Sequence, residues 1–264
     1  MITIATDLDR TLFPNGRQHY DNTMPEFKEI VERNNINLIY VTGRNREQML
    51  EGIEKYDPPL PRYAVGEVGT KVFAFSSGDF HIDTGYREWI REQTDNWDRD
   101  RIERELLDFG ELRLQEDHNQ NEFKISFYFD DPSAAEDLKK RVGARVETIT
   151  GDAALTVSVD ETMNLGLIDV MPLRANKMEG IDYLLRTLDI PRAEVVYCGD
   201  SGNDLVPLTA GYKAVLVGNA TETVRKQVEE LAEVNQVRDK MYFASGNYVS
   251  GIIEGLKHFD LIRS

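Results

Sequence analysis

The sequence predicts an α/β fold, in which a parallel-sheet core is interrupted by an inserted α+β unit. Three observations carry that prediction. Short continuous apolar runs alternate with helix-period stripes from the first residues to about residue 65. The texture breaks near residue 83 into alternating strands and charged helices, and returns near residue 173. Strand–helix–strand units at this spacing imply right-handed crossovers, hence parallel pairing. The boundaries read from these breaks are 1–82 and 173–264 for the core, with 83–172 inserted.

The elements follow in order. ITIAT is a short apolar run suited to a strand buried on both faces. In TMPEFKEIVERN, Thr23 and Glu26 stand at capping-box spacing, and Phe27, Ile30 and Val31 form one helical stripe. INLIYV (36–41) is a second buried strand, followed by TGR and a helix bearing Met49, Leu50 and Ile53. RYAV (62–65) is a third strand, and KVFAF with DFHI makes a hairpin across SSG. In the insert, the charged stretch from 84 to 108 carries apolar residues at helical intervals. FKISFYF (123–129) alternates like a strand, PSAAEDLKKRV is a helix, and RVETIT, ALTVSV and LGLIDVM are read as strands. Asn176 and Glu179 then bracket a helix start, with Met178, Ile181, Leu184, Leu185 and Leu188 as its stripe. AEVVYCGD and GYKAVLVGN are strands running into loops, and NYVSGIIEGLKHF is the closing helix.

Composition narrows the functional classes. A net charge of -16 over 264 residues argues against a general nucleic-acid binder, which needs a basic stripe, and against adhesion to anionic membranes. An anionic substrate stays open, because one cation in a cleft reverses the local field. The single cysteine, Cys198, permits no disulfide and no cysteine zinc site, and reads as a buried, inert thiol. His19, His81, His118 and His258 show no paired metal spacing. The first apolar run lacks a basic leader and no apolar stretch reaches membrane length, so a soluble, cytoplasmic protein is expected.

In an open parallel sheet, ligands bind beyond the carboxyl ends of the strands. Four polar clusters fall at such places: Asp7 and Asp9 after ITIAT, Thr42 after INLIYV, Asp200 to Asp204 after VVYC, and Lys177 at the returning helix. Each alone has a bland reading, since a short polar residue after a strand commonly caps a turn or helix. Their conjunction in this order is specific.

The set DLDRT, TGR, Lys177 and GDSGND resembles the four motifs of the haloacid dehalogenase superfamily of phosphohydrolases. Its fold is a Rossmann-like parallel-sheet core, and the insert here is placed like the cap of its subclass IIB members. NEFKISFYFD, CGDSGND and the tail GIIEGLKHFDLIRS are similar to stretches of sucrose-phosphate phosphatases. The resemblance implies that Asp7 attacks phosphorus to give an aspartyl-phosphate, and that Asp9 acts as general acid and then base. It implies Mg²⁺ held by Asp7, the backbone carbonyl of Asp9, Asp200 and Asp204. Thr42, Gly43, Asn203 and Lys177 would bind the phosphoryl group, with Thr42 and Lys177 also assisting the reaction. Gly69, Thr70 and Lys124 are candidates for contact with the sugar.

Two arguments stand beside the resemblance. Residues i and i+2 of an extended strand share a face, so D-x-D spacing sends both carboxylates towards one substrate. Asp7, Asp9, Asp200 and Asp204 bring four negative charges before a phosphate arrives, and Mg²⁺ with Lys177 returns three positives, leaving a deficit that protonating Asp9 offsets. The implied function is a Mg²⁺-dependent sugar-phosphate phosphatase, with sucrose 6-phosphate the leading substrate. Other phosphorylated glycosides remain, such as mannosyl-3-phosphoglycerate and glucosyl or mannosyl sugar phosphates, because the segment RVETITGDAALTVSVDETMNLGLIDVM is longer than its sucrose-specific counterpart and predicts an extra strand pair. A phosphomutase would need cap arginines that 122–129 and 146–170 lack. A non-enzymatic binder would lack a catalytic group. The implied partners are a small sugar phosphate and a glycosyltransferase of the same pathway, with no nucleic acid and no membrane.

Overall fold

The computed structural model describes residues 2–94, 96–160 and 163–262; Met1, Asp95, Glu161, Thr162, Arg263 and Ser264 lie outside them. Two compact units result, Met1–Asp83 with Lys177–Ser264, and Thr84–Asn176. In chain order the first opens with β1 (Thr3–Thr6), α1 (Met24–Arg33), β2 (Asn37–Val41), α2 (Arg46–Tyr56), β3 (Tyr63–Gly66), β4 (Lys71–Ser76) and β5 (Asp79–Ile82). The second unit contributes α3 (Thr84–Glu92), α4 (Arg99–Leu107), β6 (Arg113–Leu114), β7 (Ile125–Phe129), α5 (Ala135–Glu147), β8 (Ala153–Asp160) and β9 (Leu165–Pro172). The first resumes with α6 (Lys177–Thr187), β10 (Val195–Gly199), α7 (Leu205–Leu208), β11 (Lys213–Leu216), α8 (Glu222–Val234), β12 (Met241–Phe243) and α9 (Tyr248–His258).

The first unit is built on one sheet in the order β12-β11-β10-β1-β2-β3-β4-β5, parallel from β12 to β3 and antiparallel beyond. From β1 the chain moves outward through β2 and β3; from β10 it moves outward the opposite way. The β1/β10 boundary is therefore the topological switch point, where an open α/β sheet offers a crevice. Thr6 is in register with Tyr40 on one side and Cys198 on the other, so the loops starting at Asp7, Thr42 and Asp200 leave the sheet together. Ile4, Leu38, Tyr40, Val196 and Val215 are fully buried against Phe27 of α1 and Ile252 and Leu256 of α9. Helix α6 lies close on β3: a Cβ at Gly180 would meet Val65 Cγ1 at 2.5 Å. Glycine here lets the helix approach, and the approach delivers Lys177 at its first turn.

The second unit is an antiparallel sheet, β6-β7-β9-β8. One face, carrying Ile125, Phe127, Phe129, Ile168 and Val170, is covered by Ile102 and Leu106 of α4 and by Leu138, Val142 and Val146 of α5. That packing corrects one expectation. RVETIT is not a strand: its first three residues complete α5, because Leu138, Val142 and Val146 recur every fourth residue and bury one helical face. Within 145–172 the described strands are β8 and β9.

Thr23 is a second correction. Its backbone is already helical (φ -85°, ψ -2°), so its side chain makes no capping bond and its hydroxyl is buried without a partner. The Tyr20 hydroxyl instead accepts from Met24 N–H at 2.9 Å. A capping box does form at α2, between Asn45 and Gln48. Among the described residues no helix is long and apolar enough to cross a membrane.

Candidate active site

Strand β1 stops at Thr6, and residues 8–12 fold into a turn closed by Thr11 N–H and Phe13 N–H donating to the Leu8 carbonyl, with Arg10 at φ +62°. The strand-parity argument for D-x-D therefore does not hold, because Asp9 is no longer on an extended segment. The two carboxylates engage different cations. Asp7, 5% exposed, has its N–H anchored on the Cys198 carbonyl at 2.9 Å and its Oδ1 2.7 Å from Lys177 Nζ. Asp9, with a side chain 41% exposed, is held by Arg44.

Lys177 joins segments remote in sequence. Its ammonium donates to Asp7 Oδ1 at 2.7 Å, to Asp204 Oδ1 at 2.8 Å and to Asn203 Oδ1 at 2.8 Å, so all three protons are used. Burial alone would lower the Lys177 ammonium, but Asp204 and Asp7 outweigh it and hold it above its ordinary value. Asp204, with no exposure, is saturated. Oδ1 accepts from Lys177 and from the Tyr197 hydroxyl at 2.6 Å; Oδ2 accepts from the N–H groups of Asp200 and Ser201 and from Ser201 Oγ. Asp204 thus fastens Lys177 and the 200–204 loop together.

Asp200 differs from Asp204. Its Oδ1 accepts from Thr11 Oγ1 at 3.2 Å, while its buried Oδ2 receives no hydrogen bond, although Arg10 Nε lies 3.3 Å away. Burial and the Asp204 charge push its carboxyl up to about 7, against Arg10 and Thr11. Burial likewise raises Asp7 well above the ordinary carboxyl range; Lys177 opposes this, and Asp204 and Asp200 add to it. Two acids disfavoured as anions are the signature of a site short of positive charge.

Asp7, Asp200 and Asp204 each place one oxygen within 4.8 Å of the others. An octahedral Mg²⁺ with bonds of about 2.1 Å places opposite ligands about 4.2 Å apart, so this all-oxygen set is of the right hardness and scale. Asp200 Oδ2, which accepts no hydrogen bond, is the atom left for it. The residues fit the ion. The Asp9 carboxylate is outside this cluster.

The remaining candidates fall in different places. Thr42, fully buried, follows β2 with its N–H on the Val65 carbonyl at 2.8 Å and its hydroxyl accepting from Arg44 N–H at 3.1 Å; Gly43 beside it is exposed. Gly69 (φ +99°) and Thr70 are buried in the turn after β3, where the Thr70 hydroxyl donates to the Glu67 carbonyl at 2.8 Å. Lys124 belongs to the second unit, 5% exposed, its backbone bridged to Asn121. Cys198 is fully buried and burial pushes its thiol up, as befits a packing residue. Among the residues that join the site without a sequence assignment are Arg44, Arg10, Asn15 and Tyr197. Arg44 adds a positive charge to this group, its guanidinium paired directly with Asp9.

The model of the sucrose-6F-phosphate phosphohydrolase family matches residues 1–260. A protein of Nitrosococcus oceani described as a HAD-like hydrolase is 34% identical over 268 residues, 98% of this chain and 71% of that one. Sucrose-phosphatase 1 of Nicotiana tabacum is 29% identical over 98% of this chain, which spans only 59% of its length. Among solved structures, the sucrose-phosphatase of Synechocystis sp. PCC6803, solved with sucrose and phosphate, superposes with a TM-score of 0.80 at 24% identity over 98% of both chains, a likeness of fold.

Proposed function

Because the chain belongs to the sucrose-6F-phosphate phosphohydrolase family, sugar-phosphate phosphatases of the haloacid dehalogenase superfamily, we propose that it hydrolyses a sugar phosphate through an aspartyl-phosphate on Asp7. The observation that carries the proposal is the convergence of Asp7, Asp200, Asp204 and Lys177 at the sheet's switch point. Sucrose 6-phosphate is the leading substrate.

Asp7 is the nucleophile, its Oδ1 fixed by Lys177 and its backbone by the Cys198 carbonyl. Covalent catalysis splits one hard hydrolysis into two easier displacements. Lys177 sits where charge develops on the transferring group, and Thr42, Gly43 and Asn203 add hydrogen-bond donors around it; preorganised donors of this kind supply much of the stabilisation in phosphoryl transfer. Mg²⁺, held by Asp7, the Asp9 carbonyl and Asp200 with Asp204 behind them, would supply the positive charge that keeps these carboxylates ionised and polarises the phosphoryl oxygens. Asp9 protonates the departing sugar oxygen and then takes a proton from the water that attacks the phosphoenzyme. Lys124, Gly69 and Thr70 are proposed for the sugar. A glycosyltransferase that makes the phosphorylated sugar is the proposed partner.

A panel of phosphorylated mono- and disaccharides, assayed with Mg²⁺ for released phosphate, tests the reading. The expected result is phosphate release fastest from sucrose 6-phosphate. A preference for a mannosyl or glucosyl phosphate moves the assignment within the family; isomerised sugar phosphate without free phosphate makes the protein a phosphomutase and ends the proposal.

A further inference from the structure

We propose that Arg44 and Asn15 are positioning residues that lock the Asp9 carboxylate so that one oxygen, Oδ2, alone stays open to exchange a proton. This rests on the acid–base role given to Asp9 above.

The contacts define the lock. Arg44 Nη2 donates to Asp9 Oδ1 at 2.6 Å and Arg44 Nε to Asp9 Oδ2 at 2.9 Å, a forked pair. Asn15 Nδ2 adds a second donor to Oδ1 at 2.5 Å. Each carboxylate oxygen offers about two acceptor sites. Oδ1 is therefore filled, while Oδ2 keeps one. In the first half-reaction the proton on Oδ2 passes to the leaving oxygen as the Asp7–phosphorus bond forms and the bond from phosphorus to that oxygen breaks, and Asp9 becomes the anion that Arg44 faces. In the second, Oδ2 takes a proton from the water as its oxygen bonds phosphorus and the Asp7–phosphorus bond breaks.

The lock is itself held on several sides. Arg44 Nη1 donates to the Gln48 carbonyl at 2.8 Å, and its guanidinium lies over the Phe13 ring at 5.2 Å. The Arg44 carbonyl accepts from Glu67 N–H, and the Thr42 carbonyl from Val68 N–H, each at 3.0 Å. Those two donors come from consecutive left-handed residues, Glu67 (φ +51°) and Val68 (φ +63°). A β-branched residue in that region is strained and persists only where the surroundings impose it. Here the strained turn aims two amides at the backbone of 42–44. Asn15 Oδ1 in turn accepts from Arg10 N–H at 2.8 Å. The Arg44 and Asp9 side chains are 21% and 41% exposed, and a pair so wet adds little to stability. Its worth is geometric, and a lysine, a point charge without the fork, cannot reproduce it.

The test compares two substrates of similar shape whose leaving groups differ in their need for a proton. With Mg²⁺ and enzyme in excess, single-turnover release of phenol from phenyl phosphate and of nitrophenol from p-nitrophenyl phosphate is followed for wild type, Arg44→Ala, Arg44→Lys and Asn15→Ala. Loss of a positioned acid slows phenyl phosphate at least about tenfold more than p-nitrophenyl phosphate in Arg44→Ala, with Arg44→Lys failing to restore the ratio. Asn15 is exposed, so Asn15→Ala repeats the test where the fold is not at stake, with a selective loss of about threefold. Equal slowing of both substrates, or none, overturns the inference. Asp7→Asn run in parallel separates the two readings: if it still turns over, the phosphoenzyme proposal is what failed.

Discussion

Charges in the two units do different things. In the first unit, Lys177, Asp7 and Asp204 are 2%, 6% and 0% exposed, and the partners lie 170 and 27 residues apart in the chain. In the second, the pairs Arg141–Glu111, Arg87–Glu122 and Arg91–Glu122 stand with side chains about one-third to one-half exposed. Water already stabilises the latter, so forming the pair gains little. Burying three acids with one lysine is costly, which is why the cluster is the candidate site.

The comparison can be broken first at Asp7. Asp7→Asn keeps the shape and removes the proposed nucleophile, so turnover should fall by about 10⁴-fold or more while far-UV dichroism is unchanged. Activity within about tenfold of wild type means that the buried cluster is structural. Next, Lys177→Ala leaves Asp7 and Asp204 buried beside Asp200 without their cation. Unfolding in urea should show a loss of about 3–5 kcal/mol, together with lost turnover. A change below about 1 kcal/mol would mean that the buried lysine contributes no more than an exposed ion pair does.

A third prediction uses protonation. Asp200 is pushed up to about 7 and Asp7 is raised well above its ordinary value, so the folded, metal-free protein holds more protons than the unfolded chain between about pH 4 and 7. Stability is fully present below the unfolded carboxyl value and is lost as pH rises through the folded one. Calorimetry in EDTA should show Tm falling from pH 5 to pH 8, and Mg²⁺ restoring it most at pH 8. A Tm that rises over that window, or that Mg²⁺ leaves unmoved at pH 8, contradicts the site as drawn. The smallest effect belongs to the second unit: Arg141→Ala should leave turnover intact and move Tm by no more than about 2 °C.

What could be read beforehand follows from how each feature is encoded. Asp7, Lys177, Asp200 and Asp204 sit at the ends of apolar runs or at a helix start, places that hydrophobic pattern marks. The register Thr6↔Tyr40 and Thr6↔Cys198 then carries those ends to one edge. Arg44 was visible only as the last letter of TGR; its role depends on a fork reaching Asp9 across a left-handed turn that no periodicity describes. Tyr197 looked like a strand residue, and its hydroxyl meets Asp204 only because the loop folds back. RVETIT misled because a β-branched, charged stretch at a helix end satisfies either period until Val146 is seen packing with Val142. Thr23 had cap chemistry in its side chain but not in its backbone.

The central claim concerns one carboxylate. Mixing the enzyme and Mg²⁺ with ³²P-labelled sucrose 6-phosphate, quenching in acid within a turnover and mapping the label by proteolysis reads it directly. The account predicts a hydroxylamine-labile phosphate on the peptide containing Asp7, lost in Asp7→Asn. Label on another residue, or full turnover with no protein-bound phosphate at any quench time, would contradict it.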